Sequence, residues 1–354
     1  MIRILNIGPN EYRHWLTYEG EYLTEAFMRE PDVEVQAWGR FRERYEPGLR
    51  LPEVVERLFS GKWPDVILFD TSLIRSDVVE DRSFTADLKE AASKSFLVYR
   101  TSDPWRFRPY FSEWIEKFNA PVWLVHSERY TDLMNAELRG TGSQAYMFPY
   151  FLGRRYSDLG LERVFDLGMI GRCEITIDGI PQTLKPKFIQ KHAGKRKLKV
   201  FSEPPLSVVR RKLSREKYLD RYSKLILNLN QCFSSWNSPV RPKGETFPHT
   251  PCRYIEAPAC GAITVTPQQY DELNRYYFPR DAYVFCEGSM EKAVQEIARL
   301  REDDEAAHRL RTKAYKTAMS NHQAENRAKF ILGLLNGRGR ETMNCRDFYG
   351  VPLA

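Results

Sequence analysis

No apolar run in this chain of 354 residues approaches the roughly 20 needed to cross a bilayer, which excludes a membrane-spanning helix as its organising element. The opening MIRILNIGPNEYRHW lacks the long apolar core of a secretory signal, so a cytoplasmic protein is expected, at most peripheral to a membrane. Cysteine is sparse. The six, at 173, 232, 252, 260, 286 and 345, form no CxxC pair and stand at no histidine spacing that would make a zinc site, so reduced thiols are expected. No repeat of about 20 to 50 residues recurs, which excludes a solenoid. What is present is the composition of a folded globular protein, 42% hydrophobic and 13% aromatic, long enough for two domains with separate cores. A net charge of +7 favours an anionic partner, whether nucleotide, phospholipid surface or nucleic acid.

Apolar runs alternate with helical patterns along the chain. IRILNIG (2–8), VEVQAWG (33–39), PDVILFD (64–70), SFLVYRTSD (95–103) and APVWLVHS (120–127) read as strands, IRILNIG as a buried first strand and the five together as the apolar runs of a parallel sheet. The intervening segments, such as YEGEYLTEAFMRE (18–30), carry apolar residues at helical spacing, so a parallel, doubly wound sheet is expected. The texture changes near Tyr146. Beyond it, Phe165 to Ile170, KLKVFSE (197–203), KLILNLNQ (224–231), GAITVTP (261–267) and AYVFCE (282–287) read as strands of a second α/β unit. The final third, from MEKAVQEI onward, is helical, with charged residues between apolar positions at i, i+3 and i+4. The most biased stretch, KPKFIQKHAGKRKLKV (185–200), reads either as a solvated helix face or as a surface for a phosphate-bearing acceptor or a membrane.

The most informative stretch is RYIEAPACGAITVTP (253–267). A carboxylate on a short helix, followed by small residues, a glycine and an apolar strand, suits a nucleotide diphosphate. Glu256 can accept two hydrogen bonds from a ribose diol, and Ala257, Ala259 and Gly261 would leave backbone amides uncovered near phosphates. An ordinary helix-to-strand connection with Gly261 as its C-cap accounts for the same residues.

Taken with FDLGMIGR (165–172) and the downstream FCEGSMEKAVQEI, this stretch resembles the donor half of family 4-like GT-B glycosyltransferases, and most closely their CgeB-like, spore-maturation branch. The resemblance covers most of the chain and rests on the order and spacing of the motifs. It implies a GT-B fold: an N-terminal Rossmann-like acceptor domain (1–152), a Rossmann-like nucleotide-sugar domain (153–322), a cleft between them, and a helical tail (323–354) packing back on the first domain. Carried over, it makes Glu256 the ribose partner, places Gly261 near the diphosphate, and has Arg172 neutralise that diphosphate. Two departures stand out. The family's earlier donor-site glutamate falls here on Pro248, leaving Glu245 and His249 of the same loop to approach the sugar. The lysine expected after the Gly-Arg turn is absent, so Lys185, Lys187 or Arg253 must supply the second cation, Arg253 being favoured because it precedes Glu256 by one helical turn.

With no DxD pair at a plausible site, no metal ion is expected, and the nucleotide sugar is a co-substrate rather than a bound cofactor. On the acceptor side, Asp103 and His126 follow successive strands at one sheet edge and are the candidate catalytic groups. Gly8, ending the first strand, would let a ligand approach the backbone, with Arg13 and His14 beside it. The function implied is transfer of a sugar from a UDP- or GDP-sugar to a hydroxyl acceptor, metal-independent and with retention of configuration. The acceptor would be anionic: a polysaccharide, a glycolipid or nucleic acid. Two other classes fit some of these features, a nucleotide-sugar epimerase of the same architecture and a basic nucleic-acid-binding protein; a glycosyltransferase acting on DNA bases combines the last with the first.

Overall fold

The computed structural model describes residues 1–8, 16–39, 44–46, 48–70, 87–101, 111–118, 120–126, 128–170, 174–177, 180–183, 198–201, 215–237, 252–266, 277–286 and 290–336. The chain divides into two compact units, one of Met1–Pro149 joined by the chain from Ala324 and one of Tyr150–Gln323.

In the first unit six strands form one parallel sheet in the order β2-β1-β3-β4-β5-β6: β1 Ile2–Ile7, β2 Val33–Trp38, β3 Val66–Asp70, β4 Phe96–Thr101, β5 Val122–Val125 and β6 Gln144–Met147. The order reverses between β1 and β3, so the crevice expected at such a switch point lies beyond the carboxyl ends of those strands, where Gly8 sits. Helices α1 (Leu16–Phe27), α2 (Leu51–Phe59), α3 (Leu88–Lys94), α4 (Phe111–Phe118) and α5 (Glu128–Glu137) connect the strands.

Alternation along each strand separates the two sheet faces. Leu5, Ile7, Ile67, Phe69, Leu97, Tyr99, Trp123 and Val125 share one core with Val54 and Leu58 of α2. Residues of the opposite parity include Asn6, Arg100 and, just past β5, His126, and they meet polar groups of α1. Asn6 Nδ2 donates to Thr24 Oγ1 at 2.9 Å and to the Gly20 carbonyl at 3.1 Å. Arg100 Nη1 donates to Glu19 Oε2 at 2.6 Å. The helix is thus fixed to its sheet face by satisfied buried polar pairs as well as by apolar packing. The last helix, α10 (Ala324–Leu335), belongs to the same unit and packs on α1. Arg29 bridges to Glu325 at 3.2 Å, and the fully buried Arg327 donates from Nε to the Pro149 carbonyl at 3.1 Å.

The second unit holds a five-stranded parallel sheet ordered β10-β7-β11-β12-β13, made of β7 Phe165–Ile170, β10 Leu198–Phe201, β11 Cys232–Trp236, β12 Ile263–Thr266 and β13 Val284–Phe285, and a separate antiparallel pair, β8 Glu174–Ile177 and β9 Ile180–Thr183. Its helices are α6 (Arg215–Asn230), α7 (Arg253–Ala259), α8 (Met290–Glu302) and α9 (Asp304–Asn321). The core gathers Leu167, Phe233, Val265, Ala293, Ile297 and Leu300.

One expectation is overturned here. KLILNLNQ (224–231) is the end of α6 rather than a strand. Ile226, Leu229 and Asn230 are buried at i, i+3 and i+4 while Leu227 is 43% exposed, a helical stripe that a short apolar run disguises. The strand is the next segment, CFSSW, central in the sheet and buried throughout. Its serines hid it. Ser234 Oγ donates to the Asp166 carbonyl at 2.6 Å, so a polar residue sits in the core at little cost.

Candidate functional site: the α7 carboxylate

Helix α7 follows β11 and leads into β12, so it reaches its strand from the carboxyl edge of the sheet. It is short, and its position is set by side chains rather than by propensity. Tyr254 is buried, and its hydroxyl donates to the Asn237 carbonyl at 2.7 Å and lies 2.5 Å from Thr266 Oγ1, tying the helix to the ends of both neighbouring strands. The helix closes in a Schellman motif: the Ala262 amide donates to the Ala257 carbonyl at 3.0 Å and the Gly261 amide to the Pro258 carbonyl at 2.8 Å, with Gly261 at φ +72°. A side chain at 261 is strained by that φ, and a Cβ would stand where the Asp158 carboxylate and the Arg163 guanidinium now meet, so those side-chain ends would have to move. The closure alters the expected role of Gly261. Its amide is engaged within the helix end, and so are those of Cys260 and Ala262; none is a spare donor for a phosphate.

Arg163 fastens this helix end to the rest of the unit. Its Nη1 donates to the Cys260 carbonyl at 2.8 Å and to the Asn230 carbonyl at the end of α6 at 2.6 Å, while its Nη2 pairs with Asp158 at 2.6 Å. Two helix C-termini, each with orphan carbonyls, thus share one guanidinium. Asn230 completes the clamp, accepting from the Leu159 amide at 2.7 Å and donating to the Ser157 carbonyl at 3.0 Å.

Glu256 lies on this anchored helix and is only 8% exposed. One carboxylate oxygen accepts from the Tyr156 hydroxyl and the other from Arg253 Nη1, one helical turn away. The pairing of Arg253 with Glu256 on one helix face is as the spacing predicts. Tyr156 and Arg163 were not legible in advance, because Tyr156 meets Glu256 100 positions further along the chain and Arg163 meets Asn230 and Cys260 67 and 97 positions further, and no spacing rule reaches that far.

Burial shapes the thiols as well. Desolvation pushes Cys260 from an ordinary 9.0 up to about 12, with Asp158 adding to the effect, and burial pushes Cys286 up to about 12. Both remain protonated and inert, whereas Cys252 is half-buried. At pH 8, therefore, a thiol-alkylating reagent applied to the folded protein should label Cys252 well ahead of Cys260 and Cys286, as read by peptide mass spectrometry. Equal labelling of Cys260 would contradict its placement. The same raised values stabilise the fold fully below pH 9 and progressively less as the pH climbs from 9 towards 12, because the unfolded thiols ionise first.

In the first unit, Gly8 ends β1, its amide donating to the Trp38 carbonyl at 3.2 Å, with no described atom within 4 Å of where a Cβ would stand. His126 follows β5 and is 2% exposed, with Nε2 3.7 Å from the same Glu19 oxygen that Arg100 holds. Glu19 and Arg100 were not among the expected site residues; they surface only when α1 is laid on the sheet. Asp103, Arg172, Glu245, His249, Arg13, His14, Pro248 and the basic stretch 185–197 lie outside the described residues. Among the described residues no group of histidine, cysteine and carboxylate side chains is arranged to hold a metal ion, and no helix is long and apolar enough to cross a membrane.

Comparison with known proteins bears on this geometry. Residues 186–333, which include α7 and Glu256, match the family model described as glycosyl transferase-like. No curated protein sequence matches the chain. Among solved structures, an alpha-glucosyltransferase in complex with UDP and a 13-mer DNA superposes with a TM-score of 0.59 at 14% identity, covering 95% of this chain and 100% of the other. The T4 phage beta-glucosyltransferase gives 0.56 at 11% identity over 94% and 99%, and sucrose-phosphate synthase from Thermosynechococcus elongatus 0.53 at 10% over 95% and 99%. The fold is GT-B, two parallel-sheet α/β units. The glycosyl transferase-like segment makes the protein an enzyme of the glycosyltransferase class.

Proposed function

We propose that this enzyme moves a sugar from a UDP-sugar to a hydroxyl acceptor without a metal ion. The observation that carries the reading is the Glu256 carboxylate, buried on an anchored helix inside the family-matched segment and held by Tyr156 and Arg253. An ionised carboxylate offers about four acceptor directions. Two are occupied here, and the ribose 2′- and 3′-hydroxyls take the other two. UDP is favoured over GDP because the similar folds include one solved with UDP. Arg253 and Arg172 then face the diphosphate, where breakage of the bond between the sugar's C1 and the phosphate oxygen leaves about one additional negative charge to be stabilised. The new bond joins C1 to the acceptor oxygen, whose proton passes to Asp103 or to the departing phosphate; His126 orients the acceptor. The motif resemblance supports retention of configuration and a place in the CgeB-like branch.

For the acceptor, a hydroxyl on a nucleic-acid base is favoured by two observations, the net charge of +7 and the similarity of fold to a glucosyltransferase solved with DNA. Phosphate contacts made by lysines and arginines would supply most of that affinity and make it fall with salt.

The test is melting of the full chain with UDP, GDP, TDP and CMP, followed by incubation with UDP-sugars. UDP at about 100 times its dissociation constant should stabilise the protein by about 2.7 kcal/mol. Duplex DNA carrying hydroxymethylated pyrimidines should then gain sugar, and unmodified duplex should not. Absence of any nucleotide effect removes the donor site. Isomerised sugar nucleotide formed without acceptor would make the enzyme an epimerase instead.

A further inference from the structure

We infer that Tyr156 is a positioning residue for the nucleoside diphosphate, aiming Glu256 at the ribose diol; this rests on the donor-site reading above. Glu256 has two partners among the described residues, and they differ in kind. Arg253 rides on the same helix, so it restrains the carboxylate only relative to α7 itself. Tyr156 comes from a separate segment, 100 positions away in sequence, and fixes the carboxylate relative to the body of the unit.

That segment is built to hold the phenol still. The Tyr156 ring is 2% exposed, and its amide donates to the Gly153 carbonyl at 3.1 Å. The following residues are tied to α6 through Asn230, which binds the Ser157 carbonyl and the Leu159 amide, and to the far end of α7 through Arg163 and Asp158. The stretch from 156 to 163 therefore touches α7 at two places, the Glu256 side chain and the helix terminus. A rotation of α7 about its axis would break both.

The chemistry of the two partners also differs. Arg253 brings a positive charge, for which a bound phosphate would compete with the carboxylate. A neutral phenol donates one hydrogen bond and leaves the charge of Glu256 intact to receive the ribose hydroxyls. Binding strength in such a site depends on having the acceptor lone pairs already aimed, because an unordered carboxylate must lose its rotamer freedom on binding. The phenol removes that cost beforehand.

Tyr156→Phe deletes one oxygen and keeps the ring in its packing. By calorimetric titration of the full chain, UDP should bind about tenfold more weakly to this variant, the cost of ordering a freed carboxylate side chain on binding. The informative comparison is 2′,3′-dideoxy-UDP, which has no diol for Glu256 to grip. Wild type and Tyr156→Phe should bind it equally. Equal weakening of UDP and the dideoxy nucleotide would mean that Tyr156 serves only the local packing, and the inference would be overturned; so would unchanged UDP affinity. A second measurement is a double-mutant cycle with Glu256→Gln. The Tyr156→Phe loss should shrink strongly in the Glu256→Gln background, since the phenol acts through the carboxylate, and additive losses would overturn the inference. Failure of wild type to bind UDP at all would instead sink the donor-site reading, whereas wild-type binding lost in Glu256→Gln but not in Tyr156→Phe sinks the Tyr156 assignment alone.

Discussion

Glu256→Ala should bind UDP roughly a hundredfold more weakly than wild type, or not measurably. Two ribose hydroxyls lose their shared acceptor, and hydrogen bonds to a charged group are worth about 1.5–3 kcal/mol each, so a loss of this size follows even after water replaces part of the interaction. The uracil and diphosphate contacts remain, which is why binding is weakened in a graded way and why Glu256→Gln, retaining one acceptor oxygen, should fall between the two. The substitution has a structural cost as well. The buried Tyr156 hydroxyl and the Arg253 guanidinium lose the carboxylate that both of them hold, and removing one partner of a buried polar pair costs about 1–3 kcal/mol. Melting of the free variant therefore has to be measured beside the titration. A variant that melts somewhat lower yet is still stabilised by UDP as strongly as wild type would show that the ribose is gripped elsewhere.

What the sequence disclosed of this molecule follows from where its information is local. Strands β1, β3, β4 and β5 were legible because a parallel strand buried on both faces reads as a short apolar run, whereas the edge strand β2 is buried at only two of its six positions. The same rule failed at KLILNLNQ, where one helical face happened to be as apolar as a strand, and at CFSSW, where two buried serines, of which Ser234 donates to the Asp166 carbonyl, broke the expected pattern. Glu256 and Arg253 were legible together because three residues on a helix is a spacing that speaks for itself. Gly261 was visible as a glycine whose reason had two readings, and the structure supplies the C-cap geometry directly: a Schellman closure whose wall is made by Asp158 and Arg163. Tyr156, Arg163, Glu19 and Arg100 depend on pairings across 65 to 100 or so positions, as in the 81-residue separation of Arg100 from Glu19. Only the folded topology brings such groups together.

Arg100→Met should destabilise the protein by about 3–5 kcal/mol, the usual cost of removing one member of a buried ion pair and leaving the other. Arg100 is 1% exposed and Glu19 4%, and the guanidinium donates to the Glu19 carboxylate at 2.6 Å. His126 Nε2 stands at 3.7 Å from the same oxygen, beyond good hydrogen-bonding distance, so it does not replace the lost guanidinium. Glu19 would lose its 2.6 Å ion-pair partner, while α1 would keep the Asn6–Thr24 hydrogen bond and its packing against α10. Methionine fills much of the vacated volume, so the loss reports the charge rather than a cavity. The control is the double variant Glu19→Leu/Arg100→Met, which removes both charges and should recover most of the lost stability, because replacing a whole buried pair with apolar groups is often neutral. Urea unfolding of the full chain measures all three. Should Arg100→Met cost less than about 1 kcal/mol, the pair would behave as a solvated one and its burial would be wrong. The outcome also bears on catalysis: Arg100 and Glu19 fix the start of α1 and the neighbourhood of His126 at the carboxyl edge of the first sheet, so recovery of stability without recovery of sugar transfer would separate their part in the fold from their part in presenting the acceptor.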